Sequence, residues 1–271
     1  MKKHRQLKTW CLAIALAGTA STVHSSETLE RKCTHNRLEL SATYEYLSPR
    51  DIYGEWKNYS GGWWHRASDT FTWFVNGGGV CRYDGKSAWG GGGAYLDCTD
   101  CFYTYSSLLA ATNPDILSRF RIDQEFNLKL GNSKEWVISL GVTYLNYSVS
   151  RNDLLFSTGM TLYRSDWVFS YKFFLNFSHP SSAASVTNLF SAGYGQEGTQ
   201  WTYFNVSCGE SAYLAMNVEI PQEIRQKACE VSLKHRRWVG SNYGILAEIN
   251  YLNVISEYKK YGYSGGLFYE F

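Results

Sequence analysis

The chain has 271 residues, and its 26 Lys and Arg against 24 Asp and Glu give a formal net charge of +2. So small an excess, without a basic cluster after the first residues, excludes charge-driven binding to nucleic acid, and we predict no nucleic-acid partner. With 21 Tyr, 14 Phe, 10 Trp and 24 Gly but only 4 Pro, the composition is unusual for a soluble globular protein.

The N-terminal residues have the pattern of a secretory signal peptide. A basic stretch with Lys2, Lys3 and Arg5 is followed by the apolar residues 10–17 and then by small residues through Ser25. The apolar stretch is shorter than the roughly 20 residues that a transmembrane helix needs. We expect cleavage after Ser25, with Ala20 as the alternative. Residues 1–25 are then removed, and residues 26–36 form a short periplasmic segment.

Apolar and polar residues alternate along several stretches of the remaining chain. In the first stretch Leu38, Leu40, Ala42, Tyr44 and Tyr46 alternate with Arg37, Glu39, Ser41, Thr43 and Glu45. In a later one Phe120, Ile122, Phe126, Leu128 and Leu130 alternate with Arg121, Asp123, Glu125, Asn127 and Lys129. Residues 136–144 and 167–177 show the same period. Such alternation is typical of β-strands that have one apolar and one polar face.

These strands predict a transmembrane antiparallel up-and-down β-barrel over residues 37–271. The alternative is a soluble β-sandwich, which also alternates. Two features favour the barrel: the strands run about ten to fourteen residues where soluble strands average five or six, and Trp and Tyr stand at strand ends, as at membrane interfaces. We count roughly 14 strands, with roughly 12 as the alternative.

The connections between these strands are expected to alternate in length. We predict short turns at 67–69, 97–101, 164–166, 196–200 and 240–242, and longer loops at 48–55, 77–87, 178–185 and 209–226. Outer-membrane barrels of Gram-negative bacteria have short periplasmic turns and long external loops, so both termini are expected in the periplasm.

The last strand is predicted to carry an assembly signal. Tyr263, Leu267, Tyr269 and Phe271 stand at alternate positions, and the final residue is aromatic. This pattern resembles the strand that the barrel-assembly machinery recognises. We therefore expect that machinery as a partner, together with outer-membrane lipid and lipopolysaccharide.

The aromatic-rich strands as a set resemble the YaiO family of outer-membrane β-barrel proteins. The resemblance covers residues 38–271 and lies in the stretch from Trp167 to Leu175, in Gly193-Tyr-Gly and in the terminal Gly265-Gly-Leu-Phe-Tyr-Glu-Phe. It implies an outer-membrane barrel, encoded in some genomes near glycan-handling genes, and it implies no catalytic residues. The cysteines that remain after signal removal are more than we expect for this family.

Those cysteines are Cys33, Cys81, Cys98, Cys101, Cys208 and Cys229. Their even number, in an oxidising compartment, favours disulfides. Cys208 and Cys229 flank the longest predicted loop and are candidates to staple its base. For Cys98 and Cys101 we expect a structural disulfide between them, or bridges to Cys33 and Cys81. No further ligand stands nearby for a metal, so no metal site is predicted.

A catalytic centre does not emerge from the sequence. A serine hydrolase needs a Ser, a His and an orienting partner that converge in space. His179, in the predicted loop 178–185, is the candidate base, with an ordinary loop residue as the alternative, and His235 fits a basic interfacial group better. We predict no catalytic residue and no cofactor, although a lipid-modifying enzyme remains a minority hypothesis.

Polar faces of the predicted strands carry both signs of charge. The predicted lumen-facing residues are Arg37, Glu39, Glu45, Arg121, Asp123, Glu125, Lys129, Lys172, Glu230, Lys234, Arg236 and Glu248. Either the lumen is wet and conducts hydrophilic solutes, or opposite charges pair across a closed interior. We favour a passive channel or transport component, with an oligosaccharide or polysaccharide as candidate solute. The alternative is a non-conducting surface-binding or structural barrel.

Overall fold

Strands make up most of the described part of the molecule. A computed structural model of the chain describes residues 35–82, 85–148, 151–180, 183–215 and 222–271. The predicted signal peptide, Cys33 and the centre of the predicted loop 209–226 lie outside these residues. Within the described residues no helix is long and apolar enough to cross a membrane.

The strands follow one another along the chain with short connections. The first half contains β1 (Asn36–Ser48), β2 (Glu55–Arg66), β3 (Phe71–Arg82), β4 (Gly85–Thr99), β5 (Phe102–Ala111), β6 (Phe120–Leu130) and β7 (Trp136–Ser148). The second half contains β8 (Arg151–Arg164), β9 (Trp167–His179), β10 (Ala183–Gln196), β11 (Gln200–Ala215), β12 (Gln222–Trp238), β13 (Tyr243–Val254) and β14 (Tyr258–Glu270). A short helix, α1 (Arg50–Tyr53), lies between β1 and β2.

These strands form a closed barrel. Each strand pairs antiparallel with its neighbours in the chain, and β14 pairs with β1. At this seam Asn36 and Phe271 exchange two backbone hydrogen bonds, of 2.9 and 3.0 Å. Closure leaves the sheet without a free edge. The predicted up-and-down antiparallel barrel is confirmed, with the strand number at 14.

The two faces of the wall differ as the alternation predicted. Leu40 is 66% exposed on the outer surface, and many other large apolar side chains of the outer face are also exposed. The assembly-signal candidates Tyr263, Leu267, Tyr269 and Phe271 lie among them. Polar side chains occupy the inner face. Since successive residues of a strand point to opposite faces, each strand separates the lipid side from the lumen side.

The barrel has two ends, which we define by the chain termini. The terminal rim holds the start of β1, the end of β14 and the connections 67–70, 100–101, 131–135, 165–166, 197–199 and 239–242. The opposite rim holds the connections 49–54, 112–119 and 255–257, together with the adjoining ends of β3 and β4, of β7 and β8, of β9 and β10, and of β11 and β12.

The five predicted short turns and the predicted loop 48–55 fall on connections between strands, whereas the predicted long loops 77–87, 178–185 and 209–226 are wrong, because strands extend into them. Residues 77–82 and 85–87 belong to β3 and β4, and the predicted loop 209–226 is largely the continuation of β11 and β12. The glycine-rich sequence around residue 78 looks like a loop, but it lies where strand backbones approach closely: a Cβ on Gly78 would collide with the carbonyl oxygen of Tyr59. Glycine is therefore needed within the sheet itself.

Apolar side chains fill part of the lumen near the opposite rim. The first apolar cluster consists of Leu47, Trp56, Ala228, Leu252, Val254 and Tyr258, and Tyr53 of α1 packs against it. The second apolar cluster consists of Val80, Ile116 and Leu117. Ile116 and Leu117 come from the connection 112–119, which therefore turns towards the interior. Both clusters narrow the opposite end of the barrel.

Candidate functional site

The predicted lumen-facing residues all lie on inward-facing positions of their strands. Residues directly opposite each other in antiparallel strands share a face. The register links Arg37 to Trp64, Trp64 to Phe74 and Ser107 to Asp123, and it likewise links Lys234 to Glu248. The candidate site is therefore the lumen wall, which we describe from the terminal rim to the opposite rim.

A network of charged side chains closes the seam at the terminal rim. Arg37 donates to Glu270 at 2.6 Å and to Glu197 at 2.9 Å, and Arg236 pairs with Glu39. We call these five residues the terminal-rim network. Glu197 and Glu270 are absent from the sequence prediction. The alternation of β14 could have identified Glu270, whereas Glu197 lies in a turn, where no periodicity marks its direction.

Two indole groups hold the carboxylates of this network in place. Trp238 Nε1 donates to Glu270 Oε2 at 3.0 Å, and Trp201 Nε1 donates to Glu197 Oε2 at 3.2 Å. The guanidinium of Arg236 lies 5.2 Å from the ring centroid of Phe268. Hydrogen bonds to charged groups and cation–π contacts are stronger away from bulk water. The network is therefore anchored on both its anionic and its cationic side.

Half-way along the wall, Asp123 is the centre of a second polar group. Its carboxylate accepts hydrogen bonds from Arg121 at 2.8 Å, from Thr143 at 2.6 Å and from Ser107 at 2.9 Å. These donors come from β5, β6 and β7, so the carboxylate links three adjacent strands. We call Ser107, Arg121, Asp123 and Thr143 the Asp123 group.

Lys172 and Glu125 form an ion pair that crosses two intervening strands. Glu125 lies opposite Gly141 of β7, and Lys172 lies opposite Gly159 of β8. A Cβ on Gly159 would be 3.2 Å from Lys172 Cγ, and one on Gly141 would be 3.6 Å from Glu125 Oε2. The two glycines thus leave room for both long side chains to lie along the wall and meet.

Lys129 forms a further pair near the terminal rim. Its ammonium lies 3.3 Å from Asp97 Oδ1 and 5.1 Å from the ring centroid of Tyr103. Asp97 is another residue that the sequence analysis missed, because it was placed in the predicted turn 97–101.

Near the opposite rim an ion pair is buried beside the first apolar cluster. Lys260 Nζ donates to Glu45 Oε1 at 2.6 Å, and the two residues are 1% and 4% exposed. The ring centroid of Trp56 lies 5.7 Å from the same Nζ and 4.6 Å from Arg82 Cζ. Lys260 and Arg82 were also missed by the sequence analysis.

The cysteines pair only in part as expected. Cys208 and Cys229 form a disulfide, with Cα atoms 4.1 Å apart, between directly opposed residues of β11 and β12. The hairpin continues beyond this disulfide to Ala215 and Gln222, so the bond crosses the middle of a strand pair and not the base of a loop.

The expected disulfide between Cys98 and Cys101 is wrong, because both are free and exposed. Cys98 Sγ contacts the Leu96 carbonyl at 3.8 Å, and Cys101 Sγ contacts Thr99 Oγ1 at 3.5 Å. Cys81 is also free, and it lies at the other end of the β3–β4 hairpin, too far for either thiol. A bridge to Cys33 falls outside the described residues.

The candidate catalytic histidine, His179, does not face its neighbour Ser178. His179 and Ser178 are successive residues of β9, so their side chains point to opposite faces of the wall. His235 Nδ1 contacts Thr202 Oγ1 at 2.9 Å, and neither belongs to the inward-facing positions. In the described ranges no group of three or more metal-binding side chains is present.

Comparison of the sequence with known protein families identifies the family of this barrel. The model of the YaiO membrane beta barrel domain matches residues 35–214. The chain belongs to the YaiO family. The match covers β1 to β11, and the last three strands of this YaiO barrel complete the closed wall beyond it. No curated protein shows significant similarity to the sequence.

Solved structures share the architecture of this YaiO protein at very low sequence identity. The CymD monoaromatic hydrocarbon channel matches with a TM-score of 0.59 and 8% identity, over 88% of this chain and 89% of that one. A bacterial polysaccharide outer membrane secretin matches with a TM-score of 0.58 and 7% identity, over 88% and 99% of the two chains. A loop-deletion mutant of OmpT, an outer membrane protein of Vibrio cholerae, matches with a TM-score of 0.51 and 8% identity, over 87% and 98%. These likenesses show that the fold is that of outer-membrane β-barrels.

Proposed function

We propose that this barrel is a passive channel or transport component for hydrophilic solutes, glycans among them. The observation that carries the proposal is the polar lining of the inner wall, from the terminal-rim network to the Lys172–Glu125 pair. Charged groups inside a membrane-spanning wall are costly unless they face water or one another. Here they lie opposite an apolar outer surface, which is the arrangement that surrounds an aqueous path.

The pairing of these charges supports a channel with weak ionic preference. Arg37, Arg236, Lys129 and Lys172 each lie within 4 Å of a carboxylate. A dedicated anion or cation filter would need a ring of one sign. Neutral hydrophilic solutes therefore fit this lumen better than one class of ion.

Two of the structurally similar proteins are named as a hydrocarbon channel and as a polysaccharide secretin. We extend a transport role to this chain because of its lumen lining, since the shared fold alone is compatible with several functions.

A second candidate is a non-conducting binding or structural barrel. The observation in its favour is the pair of apolar clusters near the opposite rim, which occupy part of the lumen. In this case the β11–β12 hairpin, stapled by Cys208 and Cys229, is the surface that a ligand would contact.

We also propose an orientation. The terminal rim lies in the periplasm, the opposite rim faces the cell exterior, and the outer face contacts membrane lipid and lipopolysaccharide. The exposed alternate residues of β14, which end in Tyr269 and Phe271, support recognition by the barrel-assembly machinery.

The deciding experiment is planar-bilayer recording of the refolded mature chain. A channel gives stable conductance steps in potassium chloride, with little difference between cation and anion permeability. A correctly folded barrel, verified by its altered gel mobility before heating, that produces no steps would overturn the channel proposal in favour of the second candidate.

A further inference from the structure

Four aromatic side chains from adjacent strands lie together on the inner wall. Trp64 of β2, Phe74 of β3, Tyr95 of β4 and Tyr105 of β5 form what we call the aromatic platform. Their ring centroids are 6.1 Å apart for Trp64 and Phe74, 6.2 Å for Phe74 and Tyr105, and 4.9 Å for Tyr95 and Tyr105. The platform therefore continues from ring to ring across the wall.

Two glycines let these rings lie against the wall. A Cβ on Gly62 would be 2.5 Å from the Trp64 ring, and one on Gly93 would be 2.6 Å from the Phe74 ring. Gly93 belongs to β4, so Phe74 crosses that strand and reaches Tyr105 with an interplanar angle of 10°. An aromatic ring that covers a glycine on a neighbouring strand is a known stabilising arrangement in sheets.

Three of the four platform rings keep part of their surface accessible. Phe74 is only 7% exposed and forms the base of the platform. Trp64, Tyr95 and Tyr105 are half-buried and lie on inward-facing positions, so they present aromatic surface to the lumen. Tyr95 and Tyr105 add hydroxyl groups to this surface.

Polar groups continue directly from the platform. Tyr105 lies opposite Glu125, and Ser107, two residues further along β5, donates to Asp123. The Asp123 group and the Lys172–Glu125 pair therefore adjoin the aromatic surface on the same face of the wall. One side of this region offers ring faces, and the other offers fixed donors and acceptors.

We propose that the aromatic platform and the Asp123 group together form a binding subsite for a neutral pyranose oligosaccharide. A pyranose ring has an apolar face of C–H groups, which packs on aromatic rings, and an edge of hydroxyl groups, which need donors and acceptors. This proposal rests on the transport function proposed above and names the solute class and the residues that select it. Purely apolar solutes would displace water from these charged groups without replacing its hydrogen bonds and would bind less well.

The test uses the full mature chain and variants of two rings. Trp64→Leu and Tyr105→Leu each remove one ring, whereas Tyr105→Phe retains it. The matched control is Trp63→Leu, because Trp63 neighbours Trp64 in β2 but is 37% exposed on the outer face. Maltohexaose, cellohexaose and chitohexaose are the probes, measured by block of single-channel current and by titration calorimetry in detergent.

We expect at least one of the three hexaoses to bind and to block the current. Loss of either ring should weaken binding by roughly fivefold, since a ring contact of this kind has a moderate strength. Tyr105→Phe, which keeps the ring and loses the hydroxyl, should weaken binding less than Tyr105→Leu, and Trp63→Leu should bind like the parent chain. Folding of each variant is verified by its gel mobility before heating.

The two measurements separate this proposal from the proposed function. A barrel that conducts but neither binds nor is blocked by any hexaose overturns the subsite and leaves the channel standing. Binding by calorimetry without conductance overturns the channel and retains the subsite. Equal weakening by Trp63→Leu and Trp64→Leu would show a general effect on folding, and it would also overturn the subsite.

Discussion

Lys260 donates a 2.6 Å hydrogen bond to Glu45 inside the barrel, and both side chains are almost completely withdrawn from solvent. The two residues belong to β14 and β1, so the ion pair spans the seam at which the barrel closes. It lies beside the Trp56 ring of the first apolar cluster. A charge in such a place is tolerated only because its partner is present.

Loss of one partner of this pair should therefore destabilise the barrel strongly. We expect Lys260→Met to lower the free energy of unfolding by about 3–5 kcal/mol, because Glu45 then remains buried without a counter-charge. Urea unfolding of the refolded barrel in vesicles, followed by Trp fluorescence, measures the change. The double variant Glu45→Leu with Lys260→Met should recover most of the loss. A single variant as stable as the parent chain would contradict the importance of the pair.

Reduction of the Cys208–Cys229 disulfide should loosen one hairpin and leave the remainder of the barrel intact. The bond closes a stretch with a sequence separation of 21, which corresponds to roughly 3 kcal/mol of stabilisation in the chain-entropy model. We expect cleavage by trypsin at Lys227 and Arg225 to accelerate in Cys208→Ser with Cys229→Ser. Cys81→Ser, which removes a free thiol, is the control and should be cleaved at the parental rate.

Glu270 should contribute to stability through its two donors, Arg37 and Trp238. Glu270→Gln removes the charge but keeps the shape, and we expect a loss of about 1–3 kcal/mol, since hydrogen bonds to charged groups have that magnitude. Glu135→Gln, at an exposed position of a terminal-rim turn, is the control and should change little. Thermal unfolding monitored by gel mobility compares the two variants. Equal melting temperatures of the two variants would show that the terminal-rim network does not stabilise the barrel.

Reversal of the charge at Lys172 should give the channel a preference for cations. Lys172→Glu places a second carboxylate beside Glu125, so the middle of the lumen gains an uncompensated negative charge. The reversal potential in a potassium chloride gradient should shift towards the potassium potential. Glu125→Lys in the same chain should restore weak selectivity. Lys134→Glu, in a turn of the terminal rim, should have a smaller effect.

The exposed thiols of Cys98 and Cys101 allow the proposed orientation to be tested. Both lie at the terminal rim, so in a chain with Cys33→Ser and Cys81→Ser they should resist a membrane-impermeant maleimide on intact cells. Permeabilisation of the outer membrane should make them reactive. Ile255→Cys, at an exposed position of the opposite rim, should be labelled on intact cells. The reverse pattern would invert the orientation.

Strand faces could be predicted from the sequence because a period of two assigns each side chain to one side of the wall. Glu39, Asp123 and Lys172 were placed on the polar face in this way. The pairing partners could not be predicted, because they depend on side chains that meet across several strands. Arg236 and Glu39, for example, are 197 residues apart in the chain.

Strand ends were harder to predict than strand faces. Gly77 was placed in a predicted loop because of the glycine-rich composition, yet it lies opposite Gly90 in the β3–β4 ladder, where the absence of side chains lets backbones approach. The aromatic platform was missed for the same reason. Phe74 reaches Tyr105 only because Gly93 leaves a gap between them, and such a gap has no signature in a linear pattern.

The barrel can close only after its last strand has been synthesised, because the seam joins β1 to β14. Arg37 stands at the start of the first strand and Glu270 at the end of the last, 233 residues away. Until that last segment arrives, the first strand has an unsatisfied edge that can pair with other chains. A polypeptide truncated before β14 therefore keeps the backbone groups at one edge of β1 exposed.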